Sequence, residues 1–531
     1  MVILPRSARG VGRIAEIVAP FRGWNTRDPL AEMPPGFAPT FDNYIVEGGH
    51  PRVRQGSAEW ATGLPARVDG LLRYVGTDAT EQFFAVSDDS IFDVTGTGAV
   101  GAADVSGLTS ARMSGINFAA SGGDYLLAFN GADTPQTYDG AAWAAWTATG
   151  ITGDIEWATQ HNGRMFVGRS DYLGFYYGGA GAIAGAFTAF DLQGVARFGG
   201  GVCAVASLSG DGGSGPDDLV VFITTEGEAI VYSGADPSSV NTWGLVGRWA
   251  LPKPLGAPHR CIAQYGGDAL YMCDAGIIPL SAFRSGIDAA SVIEKAALTR
   301  AIGETWRAMA NERRDSAGWG ITPLTRYNLI VANVPRGDAD AMQIVISDGG
   351  AVSRWFGLPA AVWSEGMGGR VFFGDADDAT GRVMLWGEDM GDAGGGIRSE
   401  AVTAFSVLRA GGRTKRALRV QFVLRDAIGV DMACRVLTDW EVPLSGIEVL
   451  GEGAAAPALP LLPAGGGHLL WDTGLWDTGL WAGSSTGVIS PYKTCAGVGL
   501  AFALRMQLTS GNGRPAWLAT NMVYDLGGVT G

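Results

Sequence analysis

The sequence predicts an all-β protein: a β-propeller of six to seven blades carrying an inserted helix, followed by a C-terminal β-sandwich. Three observations predict it. Seven times between residues 80 and 390 a short apolar run, an Asp/Gly-rich turn and a second apolar run follow one another. These units recur at roughly 40–60 residues, the step of propeller blades. Glycine supplies 82 of 531 residues without a three-residue period, as turn-dense all-β structure requires, because turns need positive φ and glycine adopts it at little steric cost.

Residues 1–65 are rich in Pro, Gly and Arg with few strand runs, and read as an extended arm followed by loop. The propeller is expected over 66–395. Its hairpins pair Phe83–Val86 with Ile91–Val94, Leu219–Ile223 with Ala229–Tyr232, Leu329–Val331 with Gln343–Ile346, and Val371–Phe373 with Val383–Trp386. Tyr125–Phe129 turns at Asn130–Asp133, Arg164–Val167 passes Ser170-Asp171 into Tyr172–Tyr177, and Ala269–Met272 turns at Asp274–Gly276. β-branched and aromatic residues bounded by turn formers are strand signals.

One helix interrupts the pattern, about residues 291–311. Ser291 and Glu294 form a capping box, and Ile293, Leu298, Ile302, Trp306 and Met309 then fall on one face. That face packs against the propeller or, failing that, places Trp306 at a subunit contact. The glycine cluster Gly391–Gly396 marks a boundary, beyond which 396–531 reads as the β-sandwich. Within it stand Trp471, Trp476 and Trp481, the first two each opening a Trp-Asp-Thr-Gly-Leu step. Three tryptophans so close form a core staple or, as Trp is enriched at interfaces, a subunit contact.

Hydrophobic residues make up 47% of the chain, which excludes intrinsic disorder. A net charge of −15 argues against a surface built to grip phosphate, though not against one past which nucleic acid slides. The five cysteines form no CxxC pair and read as buried thiols of a protein assembled in a reducing cytoplasm. The first twenty residues lack the apolar run of a usual signal peptide, and no stretch approaches the length needed to span a bilayer.

Catalytic constellations are not found. There is no GxSxG, HExxH, Walker loop or strand–GxGxxG–helix unit, and the four histidines (His50, His161, His259, His468) are scattered. No enzyme activity, cofactor or metal is expected. Ser347-Asp348-Gly349-Gly350 through Trp355 loosely resembles the structural aspartate box of sialidase-like propellers. Gly212–Asp217 and Asp375–Asp378 carry oxygen ligands of the kind calcium takes, but read better as turns.

A family resemblance runs through most of the chain. Gly23–Leu30, Met33–Gly36, Phe41–Tyr44, Val53–Gly56 and Thr62–Leu64 carry it at the start. Phe129–Pro135, Tyr138–Gly140, Ile223–Gly227 and Tyr232–Pro237 with Trp243 continue it, and the Trp-Asp repeat closes it. Together they resemble the packaged-DNA stabilisation, or tail nozzle, proteins of short-tailed bacteriophages. The resemblance implies a propeller platform and a homo-hexameric ring below the portal and adaptor proteins, with tail fibre or needle proteins nearby. It implies a virion component, assembled in the host cytoplasm, whose ring axis conducts genomic DNA without sequence-specific binding. It carries no catalytic residues. The alternative expectation is a propeller that binds or cleaves glycans during host adsorption. A WD-type scaffold is disfavoured because no Gly-His to Trp-Asp spacing of about 40 residues recurs.

Overall fold

The computed structural model describes residues 12–209, 219–256, 258–285, 294–335, 341–427, 430–442, 488–511 and 513–529. Two compact units divide the chain: Ser57–Val345 with Leu358–Glu388, and Met1–Gly56 with Ile346–Gly357 and Asp389–Gly531.

The first unit is a β-propeller. Its sheets open with the strands Val68–Val75, Ser114–Ala120, Trp157–His161, Val202–Leu208, Ile262–Tyr265, Gly320–Leu324 and Ala360–Glu365. Each of these first strands touches the first strand of the next sheet, and Ala360–Glu365 returns to Val68–Val75, so the ring closes at seven blades. Every one of the seven sequence hairpins supplies the second and third strands of a different blade, as Leu219–Thr224 and Glu228–Ser233 do in blade 4.

These middle strands are apolar at consecutive positions because both of their faces are covered. In blade 1, Phe83 and Ala85 pack towards blade 7, with the Phe83 ring 4.8 Å from Phe372. The alternate residues Phe84 and Val86 pack towards blade 2, with Phe84 4.9 Å from Tyr138. Side chains alternate across a strand, so a strand with a neighbour on each face needs apolar residues at every position. The same two-sided packing continues between blades 2 and 3, 3 and 4, and 4 and 5.

Residues expected as arm and loop do structural work here. Gly56–Thr62 lies beside Val383–Asp389 in the sheet of blade 7, so a strand from the N-terminal side of the ring closes its last blade. Leaving a propeller's final blade unpaired would expose a sheet edge, and a strand drawn from the far end of the chain removes it.

The expected helix is shorter. It spans Gly303–Arg313, preceded by a 3-10 turn, Arg300–Ile302. Ser291 and Ile293 lie outside the described residues. Glu294 sits in a brief helical turn that breaks at Ala297–Thr299. The reason is visible at the edge of blade 5, which has three strands. The Leu298 N–H donates to the Ile277 carbonyl at 2.8 Å, and the Ile277 N–H donates to Thr299 Oγ1 at 3.2 Å. Covering that edge outweighs continuing the helix. Ile302 and Trp306 are fully buried, whereas Leu298 and Met309 are half-buried. Trp306 is therefore a core residue and not a subunit contact: its Nε1 donates to the Cys273 carbonyl at 2.8 Å, and its ring lies 5.9 Å from Trp319.

The second unit holds two sheets. One runs Val488–Ile489, Arg413–Arg425, Ala516–Val529, His50–Val53, Tyr44–Glu47, with Arg13–Glu16 on Ala516–Val529 and Tyr492–Gly499 on Arg413–Arg425. The other contains Ala351–Trp355, Thr40–Asp42, Ile397–Val402, Phe502–Ser510 and Val430–Thr438 in that order. Strands from residues 13–56 thus pair with strands from the C-terminal third, and the boundary expected at 396 does not isolate a unit on its own.

Candidate functional site

The phrases behind the family resemblance turn out to hold the fold. Asn25 and Asn130 each open an Asn-x-x-Asp turn: Asn25 Oδ1 accepts from the N–H groups of Arg27 and Asp28, and Asn130 Oδ1 from those of Ala132 and Asp133. Asp42 pairs with Arg354 at 2.8 Å, and the Arg354 guanidinium stacks 4.5 Å over Trp24. Arg54 is completely buried and donates to Asn43, to the carbonyls of Gln55 and Phe356, and to both oxygens of Asp392. Gly234 has φ +111°, and a Cβ there would lie 1.6 Å from the Thr242 carbonyl oxygen, so no other residue fits this turn.

The sequence-level chemical candidates resolve in the same direction. Asp375 is buried, and its carboxylate accepts from Thr380 Oγ1 at 2.9 Å and from Arg382 at 2.7 Å, which is the bracing of a turn. Among the described residues no group of three His, Cys, Asp or Glu stands together as a metal site. Ser347 accepts from the Val46 N–H and donates to the Ala351 carbonyl, so the aspartate-box segment is a brace. His161 is buried between Ser207 Oγ at 2.8 Å and the Gly234 carbonyl at 3.0 Å. Cys203, Cys261 and Cys273 are buried between blades 4 and 5, while Cys434 and Cys495 are half-buried. The hydrogen bond with the Cys261 thiol, then burial, holds the Cys203 thiol well above its ordinary range, so it stays protonated. Gly212–Asp217 and the tandem Trp471, Trp476 and Trp481 lie outside the described residues.

The feature with the chemistry of a site lies at the propeller axis. A half-open cavity of about 200 Å³ is lined by first-strand residues of blades 1, 2, 5, 6 and 7, among them Leu71, Ser114, Ile262, Thr322 and Trp363. Arg260, just before Ile262–Tyr265, lies on its wall. Its Nη2 reaches to the Asp69 carbonyl at 2.6 Å and the Met113 carbonyl at 3.3 Å, so one side chain ties blade 5 to blades 1 and 2. Arg112 donates from Nη2 to the Trp319 carbonyl at 3.2 Å, and Arg67 Nε lies 3.0 Å from Asp69 Oδ2.

The electrostatics follow from that crowding. Burial, and then the charge of Arg112, brings the Arg260 pKa down to about 9. Burial also lowers Arg112, with Asp69 opposing and Arg67 reinforcing the shift. The neighbouring His259 is brought down to about 4 by burial and by Arg260, so its imidazole is neutral at physiological pH. His259 has φ 62°, an uncommon conformation for a residue with a side chain, and its ring stands edge-on to Phe129 at 5.5 Å. Its Nδ1 has no hydrogen-bond partner among the described residues.

None of these residues stood out in the sequence. A signal was present: Arg67-Val68-Asp69-Gly70-Leu71 and Arg112-Met113-Ser114-Gly115-Ile116 are the same phrase at the same position of adjacent blades, and Arg260-Cys261-Ile262-Ala263 is a looser copy. Each begins a first strand, so the blade period places these arginines at one end of the ring.

No protein-family model matches the chain, and no curated protein matches it either. Solved structures similar to it include the WD40 β-propeller domain of Doa1, at 10% identity and TM-score 0.36, covering 63% of this chain and 98% of that one. BBS1N, solved in complex with ARL6DN, is similar at 10% identity and TM-score 0.38 over 64% of this chain and 99% of its own. YCF48 bound to D1 peptide is similar at 10% identity and TM-score 0.36 over 63% and 95%.

Proposed function

We propose that the chain is a structural virion protein: the nozzle ring of a short phage tail, which retains the packaged genome and later conducts it out. The observation that carries the reading is the use made of the resembling phrases. Asn25–Asp28, Asp42, Arg54, Asn130–Asp133 and Gly234 all sit in turns, buried ion pairs and close backbone approaches. A sequence likeness concentrated on such positions is a likeness of architecture, which suits a protein whose task is to be a rigid part. The net charge of −15 suits a wall past which duplex DNA moves without adhering.

The axial geometry restricts where such DNA would run. Arg260 spans from blade 5 to blades 1 and 2, so the propeller's own axis is bridged by a side chain. The conduit in this reading is the axis of a ring of copies. Negative-stain electron microscopy of the purified chain, at increasing concentration, tests it: rings of six with an axial hole are expected. A particle that stays monomeric at every concentration and hydrolyses a host glycan, with turnover abolished by one carboxylate substitution, overturns it in favour of an adsorption enzyme.

A further inference from the structure

We propose that the axial cavity of the propeller binds a small oxyanion, a phosphate or a short carboxylate, with Arg260 as its principal contact. Three observations converge on this. The first is the imbalance of charge: the guanidinium groups of Arg67, Arg112 and Arg260 act on one another around the single carboxylate of Asp69. Asp69 is already engaged by Arg67 at 3.0 Å, which leaves the half-buried Arg112 and Arg260 without an ion-pair partner of their own among the described residues. Partly desolvated, mutually repelling cations are costly, and an anion entering the cavity beside Arg260 relieves that cost.

The second observation is donor capacity. A guanidinium carries five N–H groups. Arg260, the arginine that lines the cavity, donates to two carbonyls from Nη2. These bonds fix the plane of the guanidinium and leave Nε and Nη1 for a further acceptor. Planar, pre-oriented donors of this kind match the paired oxygens of carboxylate or phosphate. The third observation is the rest of the lining. Ser114 and Thr322 bring hydroxyl side chains to the cavity lining, and His259, whose Nδ1 has no hydrogen-bond partner among the described residues, belongs to the same lining. A volume of about 200 Å³ admits inorganic phosphate or a carboxylate of a few carbons and excludes a nucleotide or a sugar chain.

The anion would do structural work. Arg260 ties blade 5 to blades 1 and 2 across the axis, so neutralising it stabilises the ring at the point where its blades converge. Binding to the folded state alone raises apparent stability in proportion to the logarithm of ligand concentration above Kd.

The experiment is a thermal-unfolding and calorimetric titration of the full chain with inorganic phosphate, with acetate and with chloride, at matched ionic strength. Saturable stabilisation at one site per chain is expected from phosphate or acetate, beyond that given by chloride, and the anion that saturates identifies the chemistry. Arg260→Lys, which cannot present the planar fork, is expected to weaken binding roughly tenfold or more. Because that variant also disturbs the bonds to Asp69 and Met113, Ser114→Ile serves as the second test: it keeps every arginine and fills the cavity. It should abolish saturation while the chain remains folded. If phosphate and acetate do no more than chloride, or if both variants bind like the parent, the proposal fails.

Discussion

Trp306→Ala separates a core residue from a subunit contact. The side chain is fully buried, its Nε1 donates to the Cys273 carbonyl at 2.8 Å, and its ring meets Trp319 at 5.9 Å. Truncating a buried tryptophan typically costs about 3–5 kcal/mol, because burial is lost and the cavity collapses only in part. The orphaned Cys273 carbonyl adds to the loss, which places the expected value in the upper half of that range. The propeller unit has about 320 residues, so an unfolding entropy near 2.1 cal/mol/K per residue gives about 0.7 kcal/mol for each degree of Tm. A fall of about 6–7 °C is therefore expected for the propeller transition in scanning calorimetry. Trp306→Phe retains most of the volume but loses the N–H donor and part of the ring, so its fall should be roughly half as large. A Trp306→Ala chain that melts within about a degree of the parent, yet no longer assembles, refutes the assignment to the core.

Three further outcomes follow from the same physics. Arg54→Met should destabilise the second unit by about 3 kcal/mol in urea unfolding, the low end for removing one partner of a buried pair because Asp392 keeps some access to water; an unchanged midpoint would show that the Arg54 bonds contribute nothing net. Burial and Arg260 hold His259 down to about 4, below its ordinary 6.5, so the unfolded chain binds this proton more readily; the stability it contributes is full above pH 6.5 and is lost as the pH falls towards 4. His259→Asn, which tolerates φ 62°, should flatten that part of the pH–Tm curve, and an equally steep variant would contradict the assignment. With −15 net charge, free duplex DNA should show no measurable binding at about 150 mM salt in a fluorescence-anisotropy titration; tight binding with a steep salt slope would reveal a basic groove that the net charge conceals.

The amino-acid sequence by itself determined the fold class and the middle of each blade. Phe83–Val86, Leu219–Ile223 and Val371–Phe373 are apolar at consecutive positions because blades cover both faces, and that pattern survives in one dimension. The first strands were not legible: Ser114–Ala120 reads Ser-Gly-Ile-Asn-Phe-Ala-Ala, with small residues where strands crowd near the axis. The closing of blade 7 by Gly56–Thr62 was also beyond it, since a pairing between positions about 325 residues apart leaves no local trace. The helix start failed for a related reason. Ser291 and Glu294 satisfy a local rule, but the edge of blade 5 claims Leu298 and Thr299 for its own hydrogen bonds. Tertiary structure alone decided the axial site. Arg67, Arg112 and Arg260 are ordinary cations in sequence, and only ring closure brings them near one another, with Arg260 on the cavity wall, where desolvation and mutual repulsion give them a chemistry that none has alone.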